Sequence, residues 1–417
     1  MRIIHLSTSD YVGGAARATY RLHCSLRIHK VDSRMLVQEK TQDDWTVYGP
    51  DTEFKQLFAS TRRLLEKIPI RLYPGRLPIE FNFAYLPGGG VLKEIHRIKP
   101  DIINLHWIAR GLISIENIRK LDIPIVWTLH DMWSFTGGCH IDGGCGKYRD
   151  KCGACPGLKS HNDIDLTRIT WYRKHRVISN LNLVLVTPSK WLSECVKQSS
   201  LFNDQRVEVI PHGLDLKVFN PINKQFAREI LNLPQDKRIV LFGSLYPEDP
   251  NKGFQILSTA MRLLGSQFRD DRNILLAILG SNAPERPEQF PFPCHYFGKI
   301  YDNSTLALIY SAADLTVLPS FQEAYGLTIA EAFACGTPAV AFDATGPKDI
   351  IDHQQNGYLA NPYKPEDLAK GINWVLVDND RHMELSKNAR KKAELNFSLD
   401  LQAKRYLKLY NELVSAK

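Results

Sequence analysis

Short, nearly continuous apolar runs alternate with longer amphipathic stretches through most of the chain. The runs Ile3–Leu6, Ile102–Leu105, Ile125–Leu129, Leu183–Val186, Val207–Ile210, Ile239–Phe242, Ile274–Leu279, Leu315–Leu318 and Ala339–Phe342 predict strands. They lack the polar alternation of a half-exposed sheet, which suits parallel strands buried on both faces. Parallel neighbours need crossover helices, so the predicted class is α/β. Turn formers cluster over Pro211–Pro221, where a domain boundary is expected. That divides the chain into 1–215 and 216–395, with a terminal helix over 396–417 predicted to pack back on the first domain. Ligands of such sheets bind beyond the carboxyl ends of the strands. Two sheets facing each other would therefore place the substrate sites in an interdomain cleft.

A chain of 417 residues is long enough for two cores. Its 44% hydrophobic and 24% charged residues are those of a globular protein, and no apolar run reaches membrane-spanning length. Met1–Leu6 reads as a first strand and not as a secretory signal, so a cytoplasmic location is expected. The formal net charge of +8 suits a phosphate-bearing ligand or an anionic membrane surface. There is no long basic block or nucleic-acid-reading motif, which argues against DNA and RNA partners. Residues Lys55–Pro78, rich in Arg, Lys and Leu, read as an ordinary amphipathic surface helix followed by a loop. A helix in peripheral contact with the inner face of a membrane is the alternative.

The richest chemistry lies in Pro319–Ala332. Glu323 falls in the loop after a predicted strand, and Glu331 falls about two turns inside the following helix. Leu327 and Thr328, four and three positions earlier, share the face of Glu331. Amides around Gly326, Leu327 and Thr328 at the helix start favour phosphate. A carboxylate deeper on that face can accept from the two hydroxyls of a ribose, and one before the helix from those of an attached sugar.

Taken together, these segments resemble the family-4 retaining glycosyltransferases, and the resemblance spans nearly the whole chain. It implies two facing Rossmann-like α/β domains of the GT-B type. In the family's E-x7-E motif the first Glu contacts the donor sugar and the second the ribose, which implies those roles for Glu323 and Glu331. Tyr11-Val12-Gly13-Gly14-Ala15-Ala16 resembles the N-terminal glycine loop, which implies donor binding by Gly13 and Gly14. Trp127-Thr128-Leu129-His130-Asp131 resembles the segment with an active-site histidine, which implies His130. Ile210-Pro211-His212-Gly213-Leu214-Asp215 resembles the interdomain stretch. Asn251-Lys252-Gly253 resembles the phosphate-binding pair, which implies Lys252. Where the family has Gly-Arg-Leu this chain has Gly243-Ser244-Leu245, so Ser244 replaces a diphosphate-binding Arg. Lys252, with Lys299 as a second base, must then carry more of the charge. His106, in Leu105-His106-Trp107, is not assigned to the site.

Cys139, Cys145, Cys152 and Cys155 have the spacing C-x5-C-x6-C-x2-C among glycines. In the expected compartment a four-thiolate structural zinc site leads this reading, with two disulfides or free buried thiols as alternatives. Trp127–Pro156 also resembles an exopolysaccharide-building subgroup, including colanic-acid-type enzymes, that carries four cysteines here.

The resemblance implies transfer of a sugar from a UDP- or GDP-type donor to a saccharide or lipid-linked saccharide, with retained configuration. No catalytic cofactor is implied. The two D-x-D matches, Asp163–Asp165 and Asp378–Asp380, follow no apolar strand and read as turns or helix caps. A nucleotide-sugar 2-epimerase and a non-catalytic sugar-nucleotide-binding partner are the rival readings. The chain lacks the G-x-G-x-x-G of a dinucleotide dehydrogenase.

Overall fold

The computed structural model describes residues 1–178, 181, 183–244, 248–267, 274–283 and 290–415. The chain divides into two units, Met1–Gly213 with Asp400–Lys417, and Leu214–Leu399.

The first unit contains β1 (Arg2–Ser9), β2 (Asp32–Glu39), β3 (Val47–Tyr48), β4 (Ile102–Leu105), β5 (Ile125–Thr128), β6 (Leu183–Thr187) and β7 (Arg206–Val209). They form one parallel sheet in the order β3-β2-β1-β4-β5-β6-β7. The C-terminal helix Leu399–Ser415 lays Tyr406 and Tyr410 against Ile3, Val126 and Val184. Both tyrosines are fully buried and keep hydrogen-bond partners inside. Asn104 Nδ2 donates to Tyr410 Oη at 2.7 Å, and Thr128 Oγ1 lies 2.9 Å from Tyr406 Oη. The segment after residue 399 is thus tied to the first sheet by both apolar contact and satisfied polar groups.

The second unit contains β8 (Arg238–Gly243), β9 (Ile274–Leu279), β10 (Cys294–Gly298), β11 (Leu315–Leu318), β12 (Ala339–Phe342) and β13 (Gly357–Ala360). Its parallel order is β10-β9-β8-β11-β12-β13. Alternate residues of one strand enter different cores. Ile239 and Leu241 join one cluster, while Val240 and Phe242 join the other. This two-sided burial is why the strands read as continuous apolar runs.

Four strands escape the pattern: β2, β3, β10 and β13. β3, β10 and β13 are sheet edges, which tolerate polar residues such as those of Cys294-His295-Tyr296. β2 is covered on its outer side only by the two-residue β3.

The helix Glu53–Glu66 is the expected amphipathic surface helix, but its apolar side faces outward. Its stripe of Phe54, Leu57, Phe58, Leu64 and Leu65, continued by Ile68, is exposed, with Phe54 at 78%. Its inner face is polar. Buried Glu66 accepts from the amides of Phe83 and Ala84, and Arg62 donates to the carbonyls of Gly111 (2.8 Å) and Pro87 (2.7 Å). Arg63 pairs with Glu39 at 2.7 Å. Beside it lies a cavity of about 510 Å³, lined by Leu36, Val37, Tyr48, Phe58, Val91 and Leu112 among others. Among the described residues no helix is long and apolar enough to cross a membrane.

Candidate active site

In the second unit the site forms where two loops at the carboxyl end of the sheet meet. One follows β8 and contains the turn Pro250–Lys252; the other follows β11. Asn251 stitches them together. Its carbonyl accepts from Phe321 N at 2.8 Å, its Nδ2 donates to Gln322 O at 2.9 Å, and its Oδ1 accepts from Gln322 N at 3.1 Å. Gly253 permits this approach. Its φ is +70°, and a Cβ there would stand 2.0 Å from the Pro319 carbonyl oxygen. The stitching brings Lys252 Nζ to 2.9 Å from Glu323 Oε2. Glu323 beside it holds the Lys252 ammonium above its ordinary pKa range. Two residues assigned separately from sequence therefore form one part-exposed ion pair.

The helix Leu327–Ala334 starts at Gly326, whose φ of +107° suits glycine. Ile329 N and Ala330 N both bond the Gly326 carbonyl, so the amides of Leu327 and Thr328 precede the first intrahelical bond. A Cβ on Gly243, at the end of β8, would lie 3.9 Å from Thr328 Cγ2, which puts the Gly243-Ser244 turn against this helix start. Ser244 is buried, and its N–H bonds Leu279 O at 3.0 Å. Leu245 lies outside the described residues. Lys299 is exposed just past β10, separated from β8 by β9. Glu331 is buried and accepts from Tyr310 Oη at 3.0 Å. Tyr310 was not identified from sequence, because a buried tyrosine in an apolar helix has the pattern of a core residue.

In the first unit Gly13 caps the helix Gly14–Ile28 with φ +95°, and Cβ atoms at Gly13 and Gly14 would meet nothing within 4 Å. The loop before them is anchored by Asp10, whose buried carboxylate accepts from the amides of Thr41 and Gln42, both at 2.8 Å. His130 follows β5 and hydrogen-bonds His106, with 3.0 Å between His130 Nε2 and His106 Nδ1. Burial pushes the His130 pKa down to about 4, against the opposing pull of Asp131, so the ring is neutral near pH 7. Asp131 accepts from Trp107 Nε1 at 2.8 Å, Trp133 N at 2.8 Å and His140 Nδ1 at 2.7 Å. His106, left outside the site by sequence, is thus the direct partner of His130.

Cys139, Cys145, Cys152 and Cys155 line one small cavity of about 10 Å³, and all eight cysteines are free thiols. Among the described residues no three His, Cys, Asp or Glu side chains are grouped to hold a metal ion. Cys152 Sγ accepts from Gly137 N at 3.2 Å, and burial pushes its thiol up to about 12. The insert is braced by polar contacts such as Lys147 Nζ to the Gly153 carbonyl (3.0 Å) and Cys155 N to Asp165 (2.8 Å). The second bond, with that from Thr167 N at 2.8 Å, makes Asp165 a turn-capping residue, and Asp378 caps the helix Asn379–Asn396.

Comparison with known proteins agrees with this architecture. Sucrose-phosphate synthase from Thermosynechococcus elongatus superposes over 100% of both chains with a TM-score of 0.71 at 20% identity. Anabaena HepE, solved in complex with UDP and glucose, covers 99% of both chains with a TM-score of 0.65 at 18% identity. The fold is that of a GT-B glycosyltransferase. Residues 12–218 match the model of Glycosyltransferase Family 4, and residues 223–392 that of Glycosyl transferases group 1. A D-inositol 3-phosphate glycosyltransferase of Thermobispora bispora is 28% identical over 84% of both chains. A second of Catenulispora acidiphila is 30% identical over 72% of this chain and 69% of its own. The chain belongs to the group 1 glycosyltransferases, with an N-terminal half of the family 4 type.

Proposed function

We propose that this glycosyltransferase moves a sugar from a nucleoside diphosphate donor to a hydroxyl of a saccharide or lipid-linked saccharide, with retained configuration, in polysaccharide biosynthesis. The observation that carries the donor assignment is the grouping of Lys252, Glu323 and the helix start at Gly326 at the carboxyl end of the second sheet. In this reading Lys252 and the amides of Leu327 and Thr328 stabilise charge on the departing diphosphate. Glu323 accepts from sugar hydroxyls, and Glu331, oriented by Tyr310, accepts from the ribose. The UDP in the HepE complex supports a nucleotide at such a fold. The bond from the anomeric carbon to phosphate breaks, that carbon bonds the acceptor oxygen on the same face, and the acceptor proton passes to the leaving phosphate.

Calorimetric titration of UDP and GDP and their sugar conjugates tests this assignment. Glu331→Ala should raise the nucleotide Kd about 10–100-fold, since a charge-assisted hydrogen bond contributes about 1.5–3 kcal/mol. Unchanged affinity would remove Glu331 from the donor site. The fixed positive charge comes from the chain itself, so transfer should persist in EDTA. Loss in EDTA with recovery on magnesium or manganese would overturn the metal-free reading.

The exposed stripe Phe54–Ile68, with exposed Lys67 inside it and exposed Arg71 and Arg76 after it, supports a place at an anionic membrane surface. Full burial of one Phe or Leu is worth roughly 1.5–3 kcal/mol. Phe54→Glu with Leu57→Glu should therefore cut sedimentation with phosphatidylglycerol vesicles at least about tenfold. Equal sedimentation of variant and wild type would exclude this helix as the contact.

A further inference from the structure

His5, His106 and His130 lie end to end across the adjacent strands β1, β4 and β5. His5 Nδ1 is 3.0 Å from His106 Nε2, and His106 Nδ1 is 3.0 Å from His130 Nε2. The two nitrogens left over, His5 Nε2 and His130 Nδ1, are buried with no hydrogen-bond partner. They are the two ends of the chain of rings. His212 stacks on His130, with ring centroids 5.1 Å apart and planes 19° from parallel.

Burial holds the pKa values of all three rings down, so each carries one N–H at neutral pH. Each contact then needs one proton between its two nitrogens. Only two arrangements meet that condition. In one, all three rings are protonated at Nδ1, and the free N–H is at His130. In the other, all three are protonated at Nε2, and the free N–H is on His5, fully buried in the core. Which nitrogen of a histidine carries the proton is set by what the other nitrogen bonds. Here that rule couples three rings into one tautomer.

We propose that His5 and His106 are positioning residues that hold His130 in its Nδ1–H form, so that His130 donates a hydrogen bond to a sugar oxygen. This rests on the proposed sugar transfer and on His130 as its active-site histidine. The Nδ1–H arrangement leaves a lone pair, and not an N–H, without a partner at the core end. It leaves the N–H at His130, past the carboxyl end of β5 and in the negative potential of Asp131. A sugar hydroxyl can donate or accept, so it does not choose the tautomer; the ring chain does. No proton enters or leaves the chain in this role.

Long-range ring proton–nitrogen correlation spectra of the full-length, ligand-free chain, labelled with 15N-histidine, test the proposal. The expected result is Nδ1–H at His5, His106 and His130. His106→Phe breaks both contacts at similar ring volume. It should shift His130 toward Nε2–H and lower kcat about tenfold, with donor affinity unchanged. His106→Gln, whose amide can accept from His5 and donate to His130, should restore most of kcat. Nε2–H at His130 in the wild type overturns the proposal even if no variant folds. So does a folded His106→Phe protein with unaltered His130 signals and kcat. Failure to transfer from any nucleotide sugar would instead strike the functional reading, because the spectra require no substrate.

Discussion

Replacing Lys252 with methionine should lower kcat for sugar transfer about 10²–10³-fold, the effect expected when a fixed charge-stabilising donor is lost. Two losses act together. The diphosphate loses its cation, and Glu323, now 2.9 Å from that cation, becomes an uncompensated carboxylate facing the same phosphates. Nucleotide Kd should rise less than kcat falls, because charge on the leaving group grows toward the transition state. Single-turnover rates beside a nucleotide titration measure both. A kcat within about threefold of wild type would place the phosphate grip elsewhere, with Lys299 the next residue to test.

The second large effect is structural. Gly253→Ala should destabilise the second unit by roughly 3 kcal/mol or more and weaken nucleotide binding with it. The added Cβ would stand 2.0 Å from Pro319 O and 2.8 Å from Pro319 C, both backbone atoms with no rotamer to yield. Relief must part the two loops, which breaks the Asn251 bonds and separates Lys252 from Glu323. Gly13→Ala is the control. Its φ of +95° and ψ of 163° also favour glycine, but its Cβ would meet nothing within 4 Å, so only a backbone preference of roughly 1–3 kcal/mol is lost, with no contact broken. Chemical denaturation of the two variants compares them directly. Equal stability losses would mean that the loop contact at Pro319 contributes nothing.

Much of the proposed donor site was legible because its signals are local. A strand, a turn at Gly326 and a helix occupy consecutive residues, so Glu331 could be placed on the face of Leu327 and Thr328 before any coordinates. The Lys252–Glu323 pair was not legible, since 71 residues separate its members and only the crossing of two loops joins them. His106 was passed over for a related reason. A histidine after an apolar strand has the same local pattern whether it is buried idly or bonded to a neighbouring strand's histidine. The zinc expectation drew on spacing and the expected compartment; only the fold shows that the four thiols line one cavity. For Glu53–Glu66 the 3.6-residue period predicted an apolar stripe without telling which way it faces. Buried bonds of Glu66 and Arg62 turned the polar side inward.

By itself, then, the amino-acid sequence determined which apolar segments are strands, the α/β class that follows, and the short-range grouping around Gly326, though not that β7 is a largely exposed edge. Those depend on contacts within a few residues, where periodicity and backbone preference act. Tertiary structure alone decided the partners of the functional side chains. The strand order β1-β4-β5 brings His5, His106 and His130 within hydrogen-bonding reach, although 101 residues separate the first two. Adjacent parallel strands lie about 4.8 Å apart wherever they fall in the chain, so their order, and not sequence distance, selects which side chains meet.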